Sequence, residues 1–370
     1  MADTPNRSAV SEGRAFAVGA GLALFAVAVA LYARTLHYEF LNWDDPYYVI
    51  DNSWIRGLSL EHLRAMFTLP MEGLAGILPA QMLSYAFDYA LWELDPFGYH
   101  LHSVLLNAVN GVLGFWVIAR LTSRWDVALI AAALFTVHPS HVEAVAWISS
   151  RKDLLFTAFL LLSTAAYVRA RRDVTLYWPA YAASIALFGL GLLSKATISA
   201  YVLFFLLLDV VLDARLPAER RRTTAFHLAT KLPYLAVAAV WVYVNTVTQV
   251  IDPLSAEPLS YLLVKGDAAW RYGGLLLGVL RSQPIYDAPP ISSDPLAAAL
   301  KLAPLFVVPL LIPLALRRGY TSIALALGWI VAGLLPPIAF PLISFIAERY
   351  LYAPSLGFCW LLGLGITRIS

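Results

Sequence analysis

The chain has 370 residues, 60% of them hydrophobic and only 14% charged, with a net charge of +2 and a mean hydropathy of +0.70. Soluble domains carry about 25% charged residues, and here the charges cluster between long apolar runs, which excludes an ordinary soluble domain. No basic excess marks a nucleic-acid partner, and a single cysteine, Cys359, excludes an intrachain disulfide.

A bilayer core of about 30 Å takes about 20 apolar helical residues per crossing, and only helices or closed barrels satisfy their backbone there. The runs are continuous, not alternating, so helices are predicted. The first span is Ala15 to Ala33, with no secretory cleavage pattern. The segment from Leu36 to Phe97 then breaks the apolar pattern. It opens HYEFLNWDDPYYVIDN, with Trp43 and Tyr47 flanking Asp44 and Asp45. Pro46 disfavours helix at Asp45 and predicts an extended or turn geometry. Two adjacent carboxylates permit three roles. One is a general base whose pKa is raised by its neighbour and by burial; the others are a divalent-metal pair and solvated loop acids. Two amphipathic stretches follow. Leu58, Leu60, Leu63, Met66 and Phe67 share one helical face, and Met82, Leu83, Ala86, Phe87, Ala90 and Leu91 another. Both predict helices lying along the membrane surface.

The second to fourth spans are Tyr99 to Ile118, Val127 to Val137 and Leu154 to Val168; the third is short and is expected to extend into its flanks. Between the third and fourth lies HPSHVEAVAWISSRKDLL. His138, His141 and Glu143 match no strong zinc template. Arg151 and Lys152 suit an anion, most simply phosphate, or a salt bridge to Asp153 or Glu143. The fifth to seventh spans are Trp178 to Leu193, Ile198 to Leu212 and Leu232 to Val250. Lys195, between two of them, either snorkels or serves a site at the membrane edge. Lys265, Asp267 and Arg271 recur at helical spacing within Tyr261 to Leu280, which favours an interfacial or re-entrant helix. The last spans are Ala297 to Leu316, Ile323 to Phe340 and Leu351 to Ile366. Before the final one stands FIAERYLYAPS, where Arg349 offers another phosphate contact and Tyr350 and Tyr352 suit an interfacial belt.

Basic clusters fall at alternate turns: Arg120 and Arg124; Arg169, Arg171 and Arg172; Arg220, Arg221 and Arg222; Arg317 and Arg318. By the positive-inside rule these turns and the N-terminus are cytoplasmic. The acidic, motif-rich loops then face outward.

NWDDPYYVIDN, LDPFGYHLHSVLLNAVN, HPSHVEAVAWISSRKDLL, LLSKAT and ERYLYAPSLGFCWL occur in that order. Together they resemble the membrane portion of the TMTC family, the transmembrane and tetratricopeptide-repeat proteins, from about Tyr38 to about Trp360. That family is similar to the GT-C class of glycosyltransferases. The resemblance implies an all-α polytopic membrane protein: a single GT-C-like domain over residues 1–370, with about 10–11 membrane helices and amphipathic helices in the first outer loop. It implies a bacterial inner-membrane relative, with its active site on the outer face. Two departures stand out. No 34-residue helical repeat follows the membrane part. Relatives often read YRPL before the position of Gln81, whereas this chain reads ILPAQML, without the Arg.

The implied activity is transfer of a sugar, in this family mannose, from a polyprenyl-phosphate donor to a hydroxyl of an unspecified protein or glycan acceptor. The family's catalytic Asp falls on Asp44 or Asp45, with Asp44 preferred as base. Arg151, Lys152, Lys195 and Arg349 would hold the leaving phosphate. Trp43, Tyr47, His138, His141, Glu143 and Tyr350 would line the site. A lipid monophosphate leaves without metal help, so neither metal nor cofactor is expected. The rivals are a metal-dependent oligosaccharyl transferase acting on a lipid diphosphate and a lipid or sugar transporter. A transporter would often carry repeated halves, and none are found here.

Overall fold

A computed structural model of the chain describes residues 7–69, 76–171, 175–248, 258–287, 295–339 and 346–369. Among these residues there is no strand. The α-helices are α1 (Arg7–Tyr32), α2 (Leu60–Thr68), α3 (Pro79–Trp92), α4 (Pro96–Thr122), α5 (Trp125–Thr136), α6 (Val142–Ala146), α7 (Arg151–Ala170) and α8 (Trp178–Ser194). They continue with α9 (Tyr201–Ala214), α10 (Thr224–Ala229), α11 (Leu232–Thr248), α12 (Pro258–Leu276), α13 (Pro295–Arg317), α14 (Thr321–Ala339) and α15 (Tyr352–Ile369).

Eight helical segments among the described residues are long and apolar enough to cross a membrane. They fall on eight of the ten spans read from the sequence. The short third span is the exception anticipated by its length: α5 breaks at His138–Pro139 and resumes through α6 with a bend of 54°, so it extends into its flank as a bent pair. The fifth is the shorter apolar helix Trp178–Ser194. The expected span ends at Val250 and Phe340 lie outside the described residues, as does Arg172. The ambiguous Tyr261–Leu280 stretch forms α12, which is not among the eight.

In the first loop α3 does not behave as a helix with its apolar face turned inward. Gln81, Met82, Tyr85, Ala86 and Asp88 are buried, whereas Phe87 and Leu91 are exposed at 55% and 61%. A membrane protein can turn polar groups into the bundle and apolar ones toward lipid, because lipid is as apolar as a core. In α2, Met66 is buried but Leu60 is 84% exposed, so only part of the predicted apolar face packs.

Small residues set the helix spacing. A Cβ on Gly357 of α15 would lie 2.6 Å from the Ala326 carbonyl oxygen of α14, and one on Gly363 would lie 2.8 Å from the Val127 carbonyl oxygen of α5. Buried polar groups then fix register. The Tyr352 hydroxyl donates to Asn107 Oδ1 at 2.8 Å, and the Asn110 amide donates to the Leu154 carbonyl at 2.9 Å, tying α4 to α15 and α7.

The end of the bundle holding the C-termini of α7 and α9 and the start of α11 is closed by charge. Asp209 accepts from Tyr167 (2.7 Å), Arg171 Nε (2.8 Å) and Lys231 Nζ (2.5 Å). Asp213 accepts from Arg171 at 2.9 Å and from the Arg222 backbone at 2.8 Å, and His227 spans both carboxylates at 3.2 and 3.0 Å. Breaking such a buried pair from one side strands the remaining charges, at a cost of about 3–5 kcal/mol. Asp209→Ala is therefore expected to lower the thermal midpoint of the detergent-purified protein by several degrees. An unchanged midpoint would show that these charges do not hold the helices together.

Candidate functional site

The opposite end of the bundle gathers the sequence motifs. Local hydrogen bonding in the first loop decides which carboxylate points where. Pro46 opens a single π-type turn over Pro46–Ile50, and Asp45 sits in the right-handed helical region at φ −61°, ψ −36°. Of the extended or turn geometry expected before the proline, the chain takes a turn over residues 42–44, but Asp45 itself is helical and not extended. The reason is three hydrogen bonds onto the Asp45 carboxylate: Oδ2 accepts the Leu41 N–H at 2.8 Å, and Oδ1 accepts the Ser149 N–H at 3.0 Å and the Ser149 hydroxyl. Asp45 is 1% exposed. Burial pushes its carboxyl above the ordinary value, and these bonds oppose the shift.

α3 supports the same turn from below. Gln81 donates to the Ser149 carbonyl at 2.8 Å and to the Tyr85 hydroxyl at 2.7 Å, while Tyr85 donates to the Ile148 carbonyl at 2.6 Å. Gln81 thus occupies the interior where the departure from the family's YRPL pattern lies. Asp45 and the α3 side chains together pin the first loop to the start of α7.

Asp44 is left half-buried, and its carboxylate makes no hydrogen bond or ion pair among the described residues. Desolvation raises its pKa above the ordinary value, and the charges of Lys152 and Arg349 pull the other way. Lys152 lies 4.9 Å above the Tyr48 ring and reaches its hydroxyl at 3.4 Å, with no carboxylate in ion-pair range among the described residues. Arg349 pairs with Glu143, whose Oε2 also accepts the Arg349 N–H at 2.8 Å. Its guanidinium lies over Trp147 at 5.3 Å and Tyr350 at 5.1 Å. Lys195 donates to Asp153 at 2.6 Å and lies 4.8 Å from the Tyr350 ring centre. Trp43, 51% exposed, faces Trp147 with ring centres 6.4 Å apart. Asp44, Lys152, Lys195, Glu143, Arg349 and Tyr350 therefore gather around one acidic and basic cluster with an aromatic rim.

Four expected site residues fall elsewhere. Arg151 is fully buried on the inner face of α7. Its guanidinium pairs with Asp88 and donates to the Tyr99 carbonyl at 2.7 Å, Ser84 at 3.2 Å and Ser103 at 3.3 Å. Fully buried and held by these contacts, it staples α3, α4 and α7. His138 donates through Nε2 to the Leu276 carbonyl at 3.0 Å and accepts from Ser140 on Nδ1, so it caps the break between α5 and α6. His141 is buried between Phe135 and Tyr352, with ring centres 4.6 Å away on each side, and bonds Ser355 at 2.8 Å. Tyr47 is 55% exposed, and its neighbour Tyr48 lies beneath Lys152 instead. Among the described residues no three His, Cys, Asp or Glu side chains converge as metal ligands.

Two residues were not legible as site components. Tyr48 offered no signal, since neither strand nor helix periodicity applies to a π-type turn. Glu348 stands beside Arg349 in the sequence and carries no spacing signal of its own. It accepts from Ser282 at 2.9 Å, the Gln283 N–H at 3.1 Å and Tyr286 at 2.5 Å, holding the segment after α12 against the base of α15.

Curated proteins provide the independent comparison. The chain is 33% identical to human protein O-mannosyl-transferase TMTC3 over 118 residues, covering 32% of this chain and 13% of that protein. It is 33% identical to Drosophila melanogaster protein O-mannosyl-transferase Tmtc1 over 213 residues, covering 56% and 24%. It is 41% identical to Xenopus laevis protein O-mannosyl-transferase tmtc2 over 93 residues, covering 25% and 11%. Over these stretches the chain is similar to proteins of the TMTC group. No family model matches it, and the matches span a quarter or less of these three relatives' own length. In this chain the two acids of the WDDP motif have separate surroundings, one sealed and one open.

That separation predicts different stability effects. Asp45→Ala removes the acceptor for three buried or half-buried donors and is expected to cost about 2–4 kcal/mol. Asp44→Asn breaks no protein hydrogen bond and is expected to leave the thermal midpoint within about a degree, within the usual range for surface changes. Thermal unfolding of both variants in detergent checks this, and equal losses would contradict the assignment.

Proposed function

We propose that this chain is an inverting glycosyltransferase moving a sugar from a polyprenyl-phosphate donor to a hydroxyl acceptor. The observation that carries the reading is the pair Asp44 and Lys152. They are a carboxylate and an ammonium in mutual electrostatic reach, and neither is spent on an ion pair among the described residues. Structural charges in proteins are normally paired, as they are at the far end of this bundle, so unspent ones at a partly open site are candidates for chemistry.

In this reading Asp44 takes the proton from the acceptor hydroxyl. The oxygen then bonds to the anomeric carbon, and the bond from that carbon to the phosphate oxygen breaks. Polyprenyl phosphate leaves with the electron pair, its charge met by Lys152, Arg349 and Lys195. A single displacement uses one base and forms no glycosyl-enzyme intermediate. Arg151 and Asp45 hold the frame in which these groups sit. The names of the relatives point to mannose as the sugar and to a protein as the acceptor. The basic turns argue for a cytoplasmic N-terminus, with the site on the outer face; a bacterial inner membrane rests on the family resemblance alone.

The test is transfer of radiolabelled mannose from polyprenyl-phosphate-mannose in membranes carrying the protein. Asp44→Asn is expected to reduce transfer by about 100-fold or more, the scale of general-base loss, with EDTA without effect. Transfer that survives Asp44→Asn would remove the base assignment, and transfer abolished by EDTA would favour the metal-dependent rival. The pH profile adds a second check. A base acts when ionised, so activity is full above the folded-state pKa of Asp44 and falls as pH drops through it. Because desolvation raises that pKa, the acid limb is expected above the ~4 of a free aspartate. A limb at or below that value would contradict the burial of Asp44.

A further inference from the structure

A groove of about 500 Å³ lies away from the candidate site. It runs between α4, α7 and α8 at the other end of the bundle, with Arg120, Arg169 and Tyr177 at one part of its lining and Leu113, Trp116 and Ala166 among its apolar walls. Lys152 and Arg169 lie near opposite ends of α7. About 17 helical residues separate them, or roughly 26 Å, close to the thickness of a hydrocarbon core. The arginines therefore sit at the headgroup level of the leaflet opposite the site.

We infer that this groove binds an anionic phospholipid, with its phosphodiester on Arg120 and Arg169 and an acyl chain along the apolar wall. Both arginines occupy the last turns of their helices, where a cation favours the helix dipole. That accounts for a positive charge there, but not for the groove beside it. Among the described residues neither arginine is in an ion pair, in contrast to neighbouring Arg171, which is buried between Asp209 and Asp213. The Arg169 guanidinium is held over the Tyr177 ring with its carbon 5.6 Å from the ring centre, which orders it without neutralising it. Guanidinium groups offer paired donors to a phosphate, and basic pockets between membrane helices suit anionic headgroups. The apolar continuation distinguishes a lipid from a free anion, since inorganic phosphate would use the arginines and leave the wall exposed. Alanine at position 166 keeps the groove open.

Native mass spectrometry of the full chain tests the inference, with phosphatidylglycerol and phosphatidylcholine of identical chains offered in competition. The wild type is expected to retain phosphatidylglycerol at least fivefold over phosphatidylcholine and to keep it in millimolar inorganic phosphate. Arg120→Gln with Arg169→Gln is expected to abolish the preference. Ala166→Phe, which fills the groove and keeps both charges, is expected to lower retention of both lipids. Equal retention of the two lipids by the wild type, or displacement by inorganic phosphate, would overturn the proposal. So would an undiminished preference in the double-arginine variant, or undiminished lipid retention in Ala166→Phe. The wild-type comparison decides the matter even if a variant fails to fold.

Discussion

The site depends on one buried carboxylate. Asp45 carries the hydrogen bonds of Leu41 and Ser149, and through them the first loop is fastened to the start of α7. A carboxylate withdrawn from water is costly unless its lone pairs are met, so this clasp forms completely or the loop does not settle. Gln81 and Tyr85 meet the same turn from α3, and Arg151 closes the frame one residue into α7 against Asp88. The polar groups are thus layered. The deep layer is fully engaged and mechanical, and it positions Asp44 above it.

The two ends of the bundle use charge in opposite ways. At the far end Asp209 and Asp213 are matched by Arg171, Lys231 and His227, an arrangement that holds helix ends together. At the site end Glu143 and Asp153 take up Arg349 and Lys195, while Asp44 and Lys152 are left without such partners among the described residues. Residual charge beside an aromatic rim suits a ligand that brings its own anion. Coulombic attraction is strongest where water is thin, which makes half-burial of Asp44 compatible with a role that full burial of Asp45 would forbid.

Much of the fold was legible because apolar run length translates directly into helix length. All ten expected spans correspond in order to apolar helices or to the bent pair. The break at His138–Pro139 was not legible as a break; it rests on His138 reaching the Leu276 carbonyl, a contact across 138 positions. The candidate site was legible as a set of loops but not residue by residue. Asp44 and Asp45 are chemically identical neighbours, and a serine more than a hundred positions away distinguishes them. Arg151 and Lys152 read as one basic pair, yet successive helical residues point about 100° apart, so one enters the core and the other faces the site. The second amphipathic stretch, which forms α3, read as a helix lying along the membrane surface because periodicity shows which face is polar, not whether water or protein meets it.

Binding of the leaving product separates a base from a phosphate ligand most directly. The measurement is the affinity of the purified protein for polyprenyl phosphate, compared between wild type, Asp44→Asn, Lys152→Gln and Arg349→Gln. The account predicts that Asp44→Asn binds as tightly as wild type or tighter, since it removes a negative charge from beside the anion. It also predicts that Lys152→Gln and Arg349→Gln bind about tenfold or more weakly, the scale of a charge-assisted hydrogen bond. Loss of binding in Asp44→Asn, with the cation variants unaffected, would contradict the division of roles on which the account rests.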